Sequence, residues 1–254
     1  MDDLIKKNIL ITGASSGLGK ELSIYFDKKV NSLICHGKSK NKVMALKKKL
    51  KNTKNLFFSG DISNESILNK FKIFLNKNKK IDTIIHCMGG GLGLKKNLIP
   101  KKDFLKLLMV NLICQSEINN LLIKNMIRKK MIGNIIHVST VAALESTASI
   151  GYSTAKAALT VYSKKLAKNF VSKNIFVKTI IPGAFETSDN SFAKLKKKNL
   201  KAYNNFKNSR LPRKKYAEAS DIIPLIDFLI RKKSQMLSGS DIVIDFSESN
   251  SFRI

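Results

Sequence analysis

Short apolar runs alternate with segments of helical periodicity along the whole chain, and this alternation restricts the fold more than any other feature. The runs cover residues 8–12, 32–35, 55–58, 82–87, 134–138, 174–181 and 241–245. Apolar strands without polar alternation are buried on both faces, and a helix between two such strands implies a right-handed parallel crossover. The pattern predicts a three-layer α/β fold with a doubly wound parallel sheet, formed as a single domain over residues 1–254.

Charge and cysteine content argue against several other classes of protein. The 254 residues include 47 Lys and Arg against 18 Asp and Glu, a net charge of +29. Nearly all of this positive charge is lysine spread along the chain, whereas arginine reads bases and phosphates better, so we expect no nucleic-acid partner. No stretch approaches 18 consecutive apolar residues, so no membrane helix is predicted. Three cysteines without a CxxC pair, and the lack of a visible secretory signal, favour the reducing cytoplasm.

A glycine-rich turn closes the first strand and opens a helix. Its sequence is Thr12-Gly13-Ala14-Ser15-Ser16-Gly17-Leu18-Gly19. Glycines at these places let the backbone turn tightly and approach a pyrophosphate, and the N–H groups and dipole of the helix N-terminus favour an anion. Because the turn follows the first strand directly, it predicts a Rossmann-type dinucleotide site.

The end of the second strand distinguishes NADP from NAD. An acidic residue at this place would hold the ribose 2′-hydroxyl, and a basic residue would hold a 2′-phosphate. The chain has Cys35-His36-Gly37-Lys38-Ser39, which offers Lys38 and no carboxylate. We therefore expect NADP(H) as the preferred cofactor, with NAD(H) as the alternative.

Candidate catalytic residues follow the fifth strand. Ser139 and Thr140 come directly after that strand, and Tyr152 and Lys156 stand four residues apart on the next predicted helix. Residues with this spacing share one helix face, so an ammonium beside the phenol would lower the pKa of Tyr152 and fit it for general acid–base catalysis. A hydroxyl of Ser139 or Thr140 would hydrogen-bond a substrate carbonyl and stabilise charge on its oxygen.

Together these motifs resemble the short-chain dehydrogenase/reductase family across nearly the whole chain, and in particular its 3-oxoacyl-carrier-protein reductases. Further matches are Asp61 after the third strand, Gly89 at the end of the fourth and Asn111 in a long helix. Residues 182–187, Pro-Gly-Ala-Phe-Glu-Thr, match the family's PGxxxT motif, which lies along the nicotinamide end of the cofactor. The resemblance implies an oxidoreductase that transfers hydride between a nicotinamide cofactor and a carbonyl or secondary alcohol.

The resemblance also implies a role for each matching residue of the catalytic set. Tyr152 would transfer the proton, Lys156 would also bind the nicotinamide ribose, and Asn111 would help to hold a water that relays protons to Lys156. The implied catalytic set is Asn111, Ser139 or Thr140, Tyr152 and Lys156.

The implied cofactor contacts extend over the whole crevice. Asp61, with Ile62 beside it, would approach the adenine, and the Gly89 backbone would approach the adenosine ribose. The implied cofactor-binding set is Gly13, Ser15, Ser16, Gly17, Leu18, Gly19, Lys38, Asp61, Ile62, Gly89, Asn111, Tyr152, Lys156, Pro182, Gly183 and Thr187.

The chain departs from the family pattern in three places. The family's serine usually lies 13 residues before the tyrosine, which selects Ser139, whereas counting from the strand selects Thr140; we take Ser139 as the first choice. The usual Asn-Asn-Ala-Gly after the fourth strand is His86-Cys87-Met88-Gly89, so its side-chain contacts do not carry over. The usual glycine pair after the last strand is Phe246-Ser247.

Residues 186–216 are expected to cover the substrate, since loops on such scaffolds set specificity. Ten lysines and arginines lie between positions 188 and 215, against Asp189 alone. This charge favours an anionic substrate, such as a phosphopantetheine thioester or an acidic or nucleotide-linked sugar. The alternative is a solvated, lysine-rich helix without a role in binding.

Two other functions are compatible with parts of the sequence, and an oligomeric state is also expected. A non-catalytic NADP-binding regulatory or scaffold protein would share the fold, but the intact Asn111, Tyr152 and Lys156 argue against it. A basic nucleic-acid-binding module is disfavoured by the complete dinucleotide turn. The resemblance also suggests a homodimer or homotetramer built on the helices near residues 103–128 and 152–170.

Overall fold

A computed structural model describes residues 4–78 and 80–251 and contains a seven-stranded parallel sheet. The strands of the chain are β1 (Asn8–Thr12), β2 (Ser32–Gly37), β3 (Leu56–Ser59), β4 (Thr83–His86), β5 (Gly133–Val138), β6 (Ile175–Pro182), β7 (Phe185–Glu186), β8 (Ala217–Glu218) and β9 (Asp241–Ile244). The order across the large sheet is β3-β2-β1-β4-β5-β6-β9, while β7 and β8 pair separately. The predicted doubly wound α/β fold is confirmed.

Helices cover both faces of the large sheet. They are α1 (Gly17–Phe26), α2 (Lys40–Lys49), α3 (Glu65–Lys77), α4 (Lys101–Leu108), α5 (Cys114–Arg128), α6 (Ala142–Glu145), α7 (Ile150–Phe170), α8 (Ser191–Lys198), α9 (Leu200–Arg210) and α10 (Ala219–Leu229). One apolar layer joins the sheet to α1 and α10 through Leu22 and Ile226, and the other joins it to α3 and α5 through Phe71 and Ile118. Within residues 4–78 and 80–251, no helix is both long and apolar enough to span a bilayer.

The helix predicted over residues 103–128 is interrupted by one π-helical turn, Met109–Ile113, between α4 and α5. Asn111 lies at the centre of this turn and is fully buried. Its Nδ2 donates to the Leu107 carbonyl at 2.9 Å, inside the preceding turn of α4. Since π-turns concentrate at functional sites, the irregularity marks Asn111 independently of any motif.

A chain of buried hydrogen bonds crosses the middle of the sheet. Thr12 Oγ1 meets His86 Nδ1 at 3.1 Å, and His86 Nε2 meets Asn119 Oδ1 at 3.0 Å. The Asn119 amide nitrogen then meets His137 Nε2 at 3.0 Å, and His137 Nδ1 meets Ser163 Oγ at 3.0 Å. Each ring nitrogen of the two histidines is thus paired, as buried polar groups require. This pairing accounts for both histidines as structural residues.

The segment predicted to cover the substrate forms a small core of its own. β7, α8, α9 and β8 enclose Tyr203, Leu211 and Tyr216, with the rings of Tyr203 and Tyr216 stacked at 4.5 Å. The Tyr203 hydroxyl donates a short hydrogen bond to Glu186 on β7. The segment therefore packs around its own small apolar cluster.

The two residues that replace the family's glycine pair take left-handed backbone conformations. Phe246 has φ +49° and Ser247 has φ +61°, backbone angles that residues other than glycine rarely adopt. The Asp245 carboxylate accepts the Ser247 and Ser249 N–H groups at 2.9 Å each, which holds the turn. A Cβ at Gly183 would lie 2.6 Å from the Glu248 carboxylate, so this turn packs closely on the end of β6.

Candidate active site

The candidate site lies where the strand order reverses. β1 pairs with β2 on one side and with β4 on the other. The turn after β1 and the loop after β4 therefore flank the crevice at which doubly wound sheets bind ligands. Gly13 has φ +72°, and a Cβ there would lie 2.8 Å from Met88 N in the neighbouring loop. A Cβ at Gly19 would lie 2.4 Å from the Gly13 carbonyl, so both positions of the turn require glycine.

The rest of the glycine turn presents backbone rather than side chains. α1 begins at Gly17, and Ser16 is its extended N-cap residue without a side-chain cap hydrogen bond. Leu18 is buried in the core, and Ser15 is buried where a Cβ at Gly37 would meet its hydroxyl. Leu18 can therefore contact a cofactor only through its backbone.

Lys38 and Asp61, both predicted for the adenosine end, form an ion pair with 2.7 Å between Nζ and Oδ2. Burial tends to raise the pKa of the Asp61 carboxyl, but hydrogen bonds from Lys38 and Ser63 outweigh it, and the pKa is lowered. Lys38 itself is 76% exposed, which leaves its ammonium accessible to a phosphate. Ile62 is buried, and its carbonyl accepts a hydrogen bond from Cys114 Sγ at 3.1 Å.

Tyr152 and Lys156 lie on one face of α7, beside the glycine loop after β4. A Cβ at Gly91 would lie 3.8 Å from Tyr152 Cγ, and a Cβ at Gly89 would lie 2.9 Å from Lys156 Nζ. Lys156 is buried and its Nζ donates to the Val138 carbonyl at 2.8 Å. Burial lowers the pKa of Lys156 to about 8.

The expectation that Lys156 lowers the pKa of Tyr152 is wrong for this structure. Burial raises the pKa of Tyr152 to about 12, and the group that opposes the rise is the Thr140 hydroxyl, through a hydrogen bond. Desolvation disfavours the phenolate more strongly than its neighbours favour it. Lys156 directs its ammonium to Val138 instead. Tyr152 is therefore a neutral phenol at neutral pH.

Asn111 is bound to the loop after β4 through both atoms of its amide. Its Oδ1 accepts the Gly90 N–H at 2.9 Å, and its Nδ2 donates to the Gly90 carbonyl at 3.1 Å. Gln115 supports this arrangement from the next turn, since its Nε2 donates to the Asn111 carbonyl at 3.0 Å and to the Met88 carbonyl at 3.2 Å. The π-turn and these bonds bring Asn111 next to Gly89, which Lys156 contacts from the other side.

The two candidate hydroxyls after β5 have different surroundings. Ser139 is buried and its Oγ lies 3.1 Å from Thr160 Oγ1 and 3.3 Å from the Lys156 carbonyl, inside the packing against α7. Thr140 is half-buried and is the hydrogen-bonding neighbour of the Tyr152 hydroxyl. The geometry thus favours Thr140, against the first choice that the 13-residue spacing made.

The PGxxxT motif has hydrogen-bonded backbone groups at its start and a hydroxyl without a partner at its end. The Pro182 carbonyl accepts the Val141 N–H at 3.1 Å, and the Gly183 N–H donates to the Ile244 carbonyl at 3.0 Å. Thr187 is different, because its hydroxyl is buried and has no hydrogen-bond partner within the described part of the chain. It lies 3.9 Å from the place that a Cβ at Gly17 would occupy, so it borders the glycine turn.

Sequence reasoning missed three residues of the site, Gln115, Asp189 and Lys42. Gln115 follows Asn111 by four residues, and this helical spacing was the available signal. No local signal marks Asp189, which accepts the Gly17 N–H at 2.9 Å although 172 residues separate them. The same carboxylate pairs with Lys42 Nζ at 3.0 Å. Only the packing of the segment after β7 on the glycine turn brings these groups together.

Within residues 4–78 and 80–251, no three His, Cys, Asp or Glu side chains are arranged to hold a metal ion. The atoms that converge on the crevice are instead backbone N–H groups, hydroxyls and ammonium groups. Groups of this kind can hydrogen-bond an anion and exchange protons.

The comparisons with known proteins agree with this geometry. The sequence matches the short chain dehydrogenase family over residues 7–198. A 3-oxoacyl-(acyl-carrier-protein) reductase of Buchnera aphidicola is 28% identical over 241 residues, which cover 94% of this chain and 96% of the relative. An L-xylulose reductase of Caenorhabditis elegans is 27% identical over 262 residues, covering 98% of each chain.

A solved structure agrees over the whole fold. L-sorbose reductase from Gluconobacter frateurii, complexed with NADPH and L-sorbose, has a TM-score of 0.87 at 21% identity, covering 99% of this chain and 100% of the other. As its motifs predicted, the chain belongs to the short-chain dehydrogenase family.

Proposed function

We propose that the protein is an NADP(H)-dependent oxidoreductase that transfers hydride between the nicotinamide and a carbonyl or secondary alcohol, with Tyr152 as proton donor or acceptor. The observation that carries the proposal is the convergence of Tyr152, Lys156 and Asn111 on one glycine loop at the edge of the crevice. Family membership supports it, and so do the relatives, which are reductases by name.

The residues at the crevice fit a dinucleotide. Thr187 offers a buried hydroxyl without a partner in the described ranges, and Gly13 leaves no room for a side chain where the backbone must approach a ligand. In the proposal the glycine turn holds the pyrophosphate, Thr187 lies where the pyrophosphate joins the nicotinamide end, and Lys38 holds a 2′-phosphate, so that NADP(H) is preferred and NAD(H) is the alternative. When bound, the nicotinamide supplies or accepts the hydride.

Tyr152 is the acid in the direction of reduction. Its raised pKa keeps the hydroxyl protonated at neutral pH, so it carries the proton that a developing alkoxide requires. Thr140, beside that hydroxyl, hydrogen-bonds the same substrate oxygen and stabilises its charge. Lys156 stands one helical turn along α7 with its Nζ on the Val138 carbonyl, and in the proposal it binds the nicotinamide ribose and receives protons through the water held by Asn111.

We further propose that the substrate is anionic and enters beside the segment that contains α8 and α9. Half of the segment's ten basic residues contact other protein groups; these are Lys196, Arg210, Arg213, Lys214 and Lys215. Lys197 and Lys207 line a cavity of about 1060 Å³ together with Tyr203. The same cavity is lined by Thr187, which borders the glycine turn, although Tyr152 is not among its lining residues.

The proposal includes a homodimer or homotetramer in the cytoplasm. Apolar side chains lie exposed on the two long helical segments, with Ile113 at 40% and Val161 at 70% exposure. Burying such side chains against a second copy is the ordinary way to remove them from water. Three free cysteines, two of them buried, suit a reducing compartment.

The test of the proposed function is Tyr152→Phe, assayed with NADPH or NADH and a panel of ketones, aldehydes and 3-oxoacyl thioesters. Loss of the acid should lower kcat by about a hundredfold or more, while the Kd for NADPH stays within about twofold. Tyr162→Phe is the matched control, because that tyrosine lies on the same helix but its hydroxyl contacts Asn119 in the core. A wild-type protein that binds neither cofactor, or a Tyr152→Phe variant with full turnover, would refute the proposal.

A further inference from the structure

The carboxylate of Asp189 lies at the start of α1. Its Oδ1 accepts the Gly17 N–H at 2.9 Å, and its Oδ2 accepts a hydrogen bond from Lys42 Nζ at 3.0 Å. The adjacent Ser188 hydroxyl accepts a hydrogen bond from Lys20 Nζ at 2.9 Å. A helix N-terminus flanked by two ammonium groups is the environment in which proteins bind phosphate.

The same carboxylate is held firmly in its charged form. Burial tends to raise the pKa of Asp189, but the Gly17 N–H and Lys42 outweigh it, with a further contribution from Lys20, and the pKa is lowered. Asp189 is therefore an anion at all pH values near neutrality. It occupies the N–H group that the dinucleotide turn would offer to a pyrophosphate.

A second, independent feature at this place lacks a partner. The Thr187 hydroxyl is more than nine-tenths buried, has no hydrogen-bond partner in the described ranges and borders Gly17. A phosphate oxygen at the Gly17 N–H would lie beside this hydroxyl as well. One ligand in this position would thus satisfy Thr187 and displace Asp189.

We propose that Asp189 is an internal substitute for a cofactor phosphate: the pyrophosphate of the dinucleotide exchanges with its carboxylate at the Gly17 N–H, and Lys42 then pairs with the phosphate. The inference rests on the proposed dinucleotide site. It adds Asp189 and Lys42 to the residues that set cofactor affinity, neither of which belongs to the family motifs in this chain.

The exchange follows from the chemistry of the groups. The Gly17 N–H already donates to Asp189 Oδ1 at 2.9 Å, so it cannot donate to a phosphate oxygen at the same time. A carboxylate and a phosphate at contact distance also repel each other. The segment is anchored just beyond Asp189, where the Asn190 amide donates to the Phe185 carbonyl at 2.7 Å and caps α8. Ser188 and Asp189 are therefore the part that moves, while Thr187 stays beside Gly17 and Lys42 remains on α2 next to the turn.

The experiment measures the Kd of NADPH by its fluorescence for wild type, Asp189→Asn and Lys42→Gln. Asp189→Asn keeps an oxygen for the Gly17 N–H but removes the competing charge, so we expect the Kd to fall about five- to tenfold. Lys42→Gln should raise the Kd about three- to tenfold, because it removes the cation that pairs with the phosphate. If Lys42 only held Asp189 in place, its removal would tighten binding instead.

A measurement without cofactor separates this role from a purely structural one. Asp189→Asn should lower the Tm of the cofactor-free protein by about 2–4 °C, since an ion pair is lost, although it improves affinity. Asp103→Asn is the matched control, because Asp103 likewise pairs with a lysine, Lys106, at 3.8 Å, but lies in the first turn of α4. It should leave the Kd unchanged.

The outcomes distinguish the inference from the proposed function. Wild-type protein that binds neither NADPH nor NADH would refute the function itself. Binding by wild type together with an unchanged or weaker Kd in Asp189→Asn, or a tighter Kd in Lys42→Gln, would refute only the exchange. If Asp189→Asn does not fold, the direction of the Lys42→Gln effect decides the question.

Discussion

His36 contributes to the acid sensitivity of this protein's stability, and His36→Phe should remove that contribution. The ring is 3% exposed on β2 and packs against Phe58 and Phe71, with centroids 6.2 and 4.8 Å away. Nε2 lies 3.1 Å from the Gly60 carbonyl, whereas Nδ1 is buried without a partner in the described residues. Protonation would place a second N–H where no acceptor lies. Burial accordingly lowers the pKa of His36 to about 4, although Gly60 and Asp61 oppose the shift.

The sign and size of the effect follow from the two pKa values. A histidine with a pKa of 6.5 when unfolded and about 4 when folded stabilises the native state fully above pH 6.5, and the stability is lost as the pH falls towards 4. At about 1.4 kcal/mol per pH unit, the interval from 6.5 to about pH 5 removes roughly 2 kcal/mol from the free energy of unfolding.

Phenylalanine keeps the aromatic packing and cannot titrate. It loses the hydrogen bond to Gly60, worth about 1 kcal/mol, but it also removes the unpartnered nitrogen, so at about pH 7.5 its stability should lie within about 1 kcal/mol of wild type. The free energy of unfolding of His36→Phe minus that of wild type should be larger by roughly 2 kcal/mol at about pH 5 than at about pH 7.5. Urea unfolding followed by circular dichroism at both pH values measures this difference.

Two features of the comparison isolate His36. His86 and His137 also have pKa values lowered by burial, but they are present in both proteins and their effects cancel. His36→Gln, which is polar and does not titrate, should show the same loss of pH dependence as His36→Phe. A stability difference between wild type and His36→Phe that is equal at both pH values would show that the buried nitrogen does not control acid stability.

Three further outcomes test other parts of the structure. Thr140→Val should lower kcat by about tenfold or more while Ser139→Ala has the smaller effect, and steady-state kinetics giving the reverse order would restore Ser139 as the catalytic hydroxyl. Lys38→Asp should lower the preference for NADPH over NADH by about tenfold, measured as a ratio of Kd values, because it places a second carboxylate beside Asp61. Lys178 is fully buried, with Nζ 2.7 Å from the Leu229 carbonyl, and burial lowers its pKa from 10.5 to about 8. Wild type should therefore gain roughly 2 kcal/mol relative to Lys178→Met as the pH rises from about 8 to about 9.5, and urea unfolding without such a gain would contradict the shift.

Several features of the site could be predicted from local sequence because the physics behind them is local. Gly13 has φ +72°, and a Cβ at Gly19 would lie 2.4 Å from the Gly13 carbonyl, so both constraints lie within one turn that a strand–turn–helix pattern predicts. Tyr152 and Lys156 share a helix face because of their spacing alone. The alternation of buried strands with helices likewise determines the class of fold, since each strand must be covered on both faces.

The electrostatic state of the site could not be predicted in the same way. Spacing indicated that Lys156 would act on Tyr152, but the degree of burial of the phenol dominates its pKa and depends on everything packed around it. The choice between Ser139 and Thr140 depended on how the end of β5 packs against α7, which turns Ser139 towards Thr160. A shift of one position in a loop cannot be read from the number of residues alone.

What the sequence by itself determined is the doubly wound sheet, the dinucleotide turn and the Tyr–Lys pair, because each rests on contacts within a few residues or on a repeating apolar pattern. Only the tertiary structure decided which groups meet across the crevice. Asp189 and Gly17, separated by 172 positions, share a hydrogen bond because the segment after β7 folds back over the first turn. Such a contact forms only when distant elements pack together, so no local sequence pattern predicts it.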